Sequence, residues 1–121
     1  MVFFLLALIL NLNYNAMDNR VNMGESMVKH IVLYFLKDNS PESKEALKQK
    51  FLSMKGKIDV LKDIEVGIDF MQSPRSADVS LTCLFESKED LAIYADHPVH
   101  LPVKQYVQQV AERSISCDYE I

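Results

Sequence analysis

The chain has 121 residues, a length that fits one domain. An apolar fraction of 49% with 25% charged residues belongs to a globular protein and excludes a disordered or fibrous one. Net charge is −4, and no basic run or arginine cluster stands out, which excludes a nucleic-acid footprint.

Residues 1–16 read MVFFLLALILNLNYNA. The apolar run from Val2 to Leu10 is too short for a bilayer, which needs about 20 residues. A secretory signal wants a basic stretch before its apolar run, and none is present. A weak signal peptide or a lipid-surface anchor is the minority reading. Gly24-Glu25, just upstream of Met27, can be encoded by GGAGAA or GGAGAG, which resembles a bacterial ribosome-binding site. Met27 is therefore favoured as the true start. Residues 1–26 are expected to be a lead outside the domain, mis-assigned or disordered, and 27–121 the domain itself.

Met27–Leu36 is β-branched and aromatic and reads as a strand. Ile31, Leu33 and Phe35 share one face; Val32, Tyr34 and Leu36 share the other. Apolar character on both faces predicts that both are covered. Ser40-Pro41 starts a helix, with serine as cap and proline at the first helical position. Leu47, Phe51, Met54 and Ile58 follow at helical spacing, and Gly56 lies near the expected end. Lys44, Lys48 and Lys55 are expected on a solvated face. Ile64, Val66, Ile68 and Phe70 alternate with Glu65, Gly67 and Asp69, giving a strand with one wet face or an edge strand. Ser73–Ser76 is a loop, and Val79, Leu81, Cys83 and Phe85 mark the next strand.

Ser87 with Asp90 three positions on resembles a capping box. Leu91, Tyr94 and Ala95 form the inner face of the short helix it opens. That helix breaks at His97-Pro98, and Pro102 sits early in a second one with Val103, Tyr106, Val107 and Val110 inward. Ile115, Cys117, Tyr119 and Ile121 alternate as a last strand. Cys83 and Cys117 show no CxxC or zinc spacing and read as buried, reduced core thiols, with a disulfide between neighbouring strands as the alternative that nothing demands.

The order β-α-β-β-α-α-β is that of an α+β, ferredoxin-like fold: a four-stranded antiparallel sheet with helices on one face. Helices cover one sheet face only, so the two-sided first strand predicts a homodimer. A two-fold arrangement would join the two sheets into a dimeric α+β barrel.

The three histidines carry what chemistry the sequence offers. His30 lies in the first strand, and His97 and His100 flank the helix break after Tyr94. Imidazole is the side chain best suited to proton transfer near neutral pH. Three roles compete for these rings: capping the helix break through backbone carbonyls, lining a small-molecule pocket, and a metal site of Asp96, His97 and His100. Capping is favoured and the metal site is the weakest. With glycines only at 24, 56 and 67, no phosphate-cradling loop exists.

Lys29-His30-Ile31-Val32 and His97-Pro98-Val99-His100 resemble the two signature segments of the Dabb family, the stress-responsive A/B barrel. Their spacing and the strand order match across 27–121. The resemblance implies a homodimeric α+β barrel and little about activity. One plant branch contains cofactor-free polyketide cyclases, in which the histidine closing the second segment is a general base and an upstream tyrosine orients substrate. The corresponding residues are His100 and Tyr94, with His30 and His97 as pocket or supporting residues. Leu101-Pro102-Val103-Lys104 departs from the small, glycine-containing stretch of the cyclases.

The reading is a cytoplasmic homodimer binding a small apolar or aromatic molecule, with no cofactor, metal, nucleic acid or membrane partner for 27–121. The alternatives are a cofactor-free acid/base enzyme with His100 as general base, and a purely structural or interaction dimer.

Overall fold

A computed structural model describes residues 26–121. The expectations for residues 1–25 lie outside the described residues. The elements run β1 (Val28–Leu36), α1 (Pro41–Leu52), β2 (Asp63–Ile68), β3 (Val79–Phe85), α2 (Lys88–Ala95), α3 (His100–Val110) and β4 (Ala111–Glu120). The sheet is antiparallel in the order β2-β3-β1-β4, the ferredoxin-like arrangement.

Local chemistry starts the first two helices where serine stands. Ser40 Oγ accepts the Ser43 N–H at 3.2 Å, with Pro41 at the first helical position. Ser87 Oγ accepts the Asp90 N–H at 3.1 Å. Gly56 closes the turn after α1 with φ +78°, a left-handed conformation that costs glycine nothing.

Strand alternation sorts side chains onto two faces. Val28, Val32 and Tyr34 pair across the ladder with Phe85, Leu81 and Val79 of β3 and, with Leu36 on the same face, point at the helices. Ile64 and Val66 continue that layer on β2. Leu47, Phe51 and Met54 close it from the helical side, all essentially inaccessible to water. α1 packs on β2 and β3, and α2 on β1 and β3. Removing a ring as deeply buried as Phe51 costs about 3–5 kcal/mol.

The other sheet face is bare. Leu33, Ile115 and Tyr119 lie there, each more than a third exposed, beside Ile31 and Phe35. Both faces of β4 are open along nearly its whole length.

Four expectations are corrected. Cys117 is exposed rather than buried, because it pairs with Ile31 on the bare face; Cys83, by contrast, is fully buried. Lys44 is buried at 6% exposure, because β3 leads in through Asp78 beside it; only Lys48 and Lys55 meet water. Lys55 also lies beyond the end of α1. Phe70 is 85% exposed, since strand pairing stops at Ile68 with Val79 and the chain turns through Gln72 at φ 52°.

Candidate active site at the helix break

The break between α2 and α3 brings the sequence-selected residues together. α2 ends at Ala95, and α3 begins at His100 without a side-chain cap on its own N-terminus. His100 instead reaches back. Its Nδ1 lies 3.0 Å from the Tyr94 carbonyl oxygen and 3.2 Å from that of Ala95. Lys104 Nζ also donates to Ala95 O, at 3.3 Å. A carbonyl accepts only, so Nδ1 carries the proton. The lone pair of neutral His100 is therefore on Nε2. Burial lowers the His100 pKa below its ordinary value, more than the two carbonyls raise it, and Lys104 and His30 push it the same way as burial.

His97 is in the opposite tautomeric situation. Its Nδ1 accepts the Val99 N–H at 3.0 Å. The ring sets the turn, while His97 O accepts from the N–H groups of His100 and Leu101. His97 is thus occupied in shaping the break.

Tyr94 is 1% exposed and stacks on His100, with ring centroids 4.1 Å apart and planes 19° from parallel. Phe85 packs on it at 5.1 Å, and His30 meets it edge-on at 6.1 Å. The phenol lies 4.0 Å from Cys83 Sγ, and burial raises its pKa. Burial also pushes the Cys83 thiol up to about 12, leaving it protonated and inert.

Sequence reasoning missed Asp118. His30 Nδ1 meets Asp118 Oδ1 at 2.5 Å. A carboxylate accepts, so His30 also keeps its proton on Nδ1 and presents Nε2 as the base. Two-residue alternation gave a usable signal: Cys117 and Tyr119 on one face put Asp118 on the other. The β1–β4 register then sets Asp118 opposite His30. Asp118 lines a cleft of about 420 Å³ between α2 and the end of the sheet, with Val28, Lys88, Leu91, Tyr119 and Glu120. His30, Tyr94 and His100 do not line this cleft; His30 is tied to it through Asp118, and Tyr94 meets His30 edge-on. Among the described residues no three metal-binding side chains converge, and the Nδ1 atoms of His97 and His100 are both engaged.

The family model for the Stress responsive A/B Barrel Domain, Dabb, matches residues 28–121. The chain belongs to the Dabb family. No curated protein matches this Dabb chain. Among solved structures it is similar to a protein from Bacteroides fragilis described as dimeric, of unknown function and ferredoxin-like. That match has 33% identity and a TM-score of 0.66, covering 78% of this chain and 96% of that one. It is also similar to At3g17210 of Arabidopsis thaliana at 28% identity and TM-score 0.68, over 78% of this chain and 94% of that one. A hydroxynitrile lyase from Passiflora edulis shares the fold at 17% identity and TM-score 0.70, over 79% and 94%. No described helix of the Dabb domain is long and apolar enough to cross a membrane.

Proposed function

We propose that residues 27–121 work as a homodimer that binds a small apolar or aromatic molecule in the cleft between α2 and β4. The observation that carries this reading is Asp118, which lines the cleft with Val28 and Leu91 while its carboxylate holds His30 Nδ1 from the sheet side. Convergent polar groups in a mostly apolar concavity are the usual form of a small-molecule site. The dimer would close over the bare face, where Leu33, Ile115 and Tyr119 wait for a cover. The similar Bacteroides fragilis structure, described as dimeric, supports that assembly. A cytoplasmic location suits the two free thiols. Residues 1–26 stand outside the functional unit.

Native mass spectrometry of the chain, gently purified from its source, tests both parts. A dimer with a reproducible extra mass is expected. A bare dimer would remove the ligand, and a bare monomer would remove the assembly.

One observation favours a second reading, a cofactor-free acid/base enzyme. His100 and His30 both hold their proton on Nδ1, leaving two basic Nε2 atoms near one tyrosine. In this reading His100 removes a proton next to a carbonyl, and Tyr94, 1% exposed, acts by fixing the imidazole it stacks on rather than by touching the substrate. Deuterium uptake from heavy water into aryl methyl ketones, followed by NMR, would report it. The reading requires uptake by the native chain and none by His100→Gln at unchanged dimer content.

A further inference from the structure

A second cavity lies away from the histidines, between the start of α1 and the loop from β2 to β3. Its volume is about 380 Å³. Asn39, Lys44, Asp69, Ser73, Ser76 and Asp78 line it, and it shares no lining residue with the α2–β4 cleft.

Lys44 is the unusual member. Its side chain is 8% exposed, yet its Nζ makes no hydrogen bond among the described residues. The nearest carboxylate oxygen, Asp78 Oδ1, is 4.0 Å away. That is too long for a hydrogen bond, which needs about 2.7–3.2 Å. A buried ammonium with three idle donors is costly unless something completes it. The other Asp78 oxygen is engaged, accepting the Leu36 N–H at 2.8 Å. Asp69 Oδ2 accepts the Gln72 N–H at 2.6 Å, and the Ser73 and Ser76 hydroxyls pair at 2.7 Å. Lys44 Nζ and Asp78 Oδ1 thus face each other across a gap of 4.0 Å with no hydrogen bond between them.

The missing group must accept from an ammonium and donate to a carboxylate at once. A hydroxyl does both, and one oxygen fits against two atoms 4.0 Å apart. An anion would meet the carboxylates of Asp69 and Asp78; a cation would meet Lys44. We propose that this cavity is a binding site for a small neutral polyhydroxyl compound, a sugar or polyol, with one hydroxyl bridging Lys44 and Asp78. In the Ser73–Ser76 pair one hydroxyl donates to the other, and the accepting one keeps its own O–H for a second hydroxyl of the same molecule.

The test titrates the full chain with glycerol, glucose and myo-inositol while amide shifts are followed by NMR. A saturable shift at Leu36, Gln72 and Ser73 is expected with at least one of them in the millimolar range. Lys44→Met should weaken it tenfold or more. Ser76→Ala, which leaves the ion pair in place, should weaken it severalfold and covers the case in which Lys44→Met fails to fold. Absence of saturation with all three compounds would mean that water alone fills the gap. Saturation unaltered in both variants would place the ligand elsewhere. Either result overturns the proposal.

Discussion

His30 and Asp118 face each other across the β1–β4 ladder, 88 residues apart in the chain, and their side chains meet at 2.5 Å. The carboxylate is 45% exposed and the imidazole 19%. Water screens such a pair, and its net worth is about 0–1 kcal/mol. Asp118→Asn should therefore shift the urea midpoint little. It should also free the His30 ring from a single tautomer, visible in the nitrogen shifts of the imidazole. A loss of several kcal/mol in unfolding free energy would mark the pair as structural instead.

His100 gives the stability a pH dependence. Its pKa in the folded chain lies below the ordinary value of 6.5 because burial disfavours the cation. The unfolded chain then binds more protons in the window just under 6.5. Stability should fall as pH drops through that window and level off below the folded pKa. Urea unfolding at pH 7.5 and at steps down to pH 5 measures the fall, and His100→Gln should flatten that component. A profile unchanged by the substitution would remove His100 as its source.

Leu33→Asp places a charge on the bare sheet face, where the side chain is 37% exposed in the single chain. Sedimentation should show a monomer in place of the dimer. Alkylation gives an independent reading: Cys117, on the same face, should be slow in the native dimer and fast in the variant. Cys83 should stay unreactive in both until the chain unfolds, since it is buried with its pKa near 12. Rapid Cys117 labelling of the native chain would argue against this face as the interface.

The buried pair of Lys44 and Asp78 should respond unequally to its two partners' removal. Asp78→Ala strands the ammonium and the Leu36 N–H together, and should cost about 3–5 kcal/mol. Lys44→Met keeps the volume and removes the charge that needs completing, so its cost should be smaller. Chemical denaturation of the two variants makes the comparison; equal losses would mean that the pair itself carries the stability.

The architecture was legible because its signals are local. Ser40-Pro41, Ser87 with Asp90, and the alternation from Val79 to Phe85 each act within a few residues. His100 and Tyr94 were found by motif, and their stacking follows from the break at His97-Pro98. Asp118 was passed over because its partner is chosen by the order of strands, which no short window displays. Lys44 was misplaced for a related reason: helical spacing sets its face, but Asp78 arrives from a distant strand and encloses it. Cys117 looked like core because alternation reveals that a face is apolar without saying which molecule covers it.

β1 leaves the ribosome first among the four strands and β4 last, yet the two lie side by side in the sheet. A loop of that span closes at modest entropic cost, but only once both ends exist. Every nascent chain shorter than 118 residues therefore carries His30 without its carboxylate. Synthesis itself times the assembly of the pair.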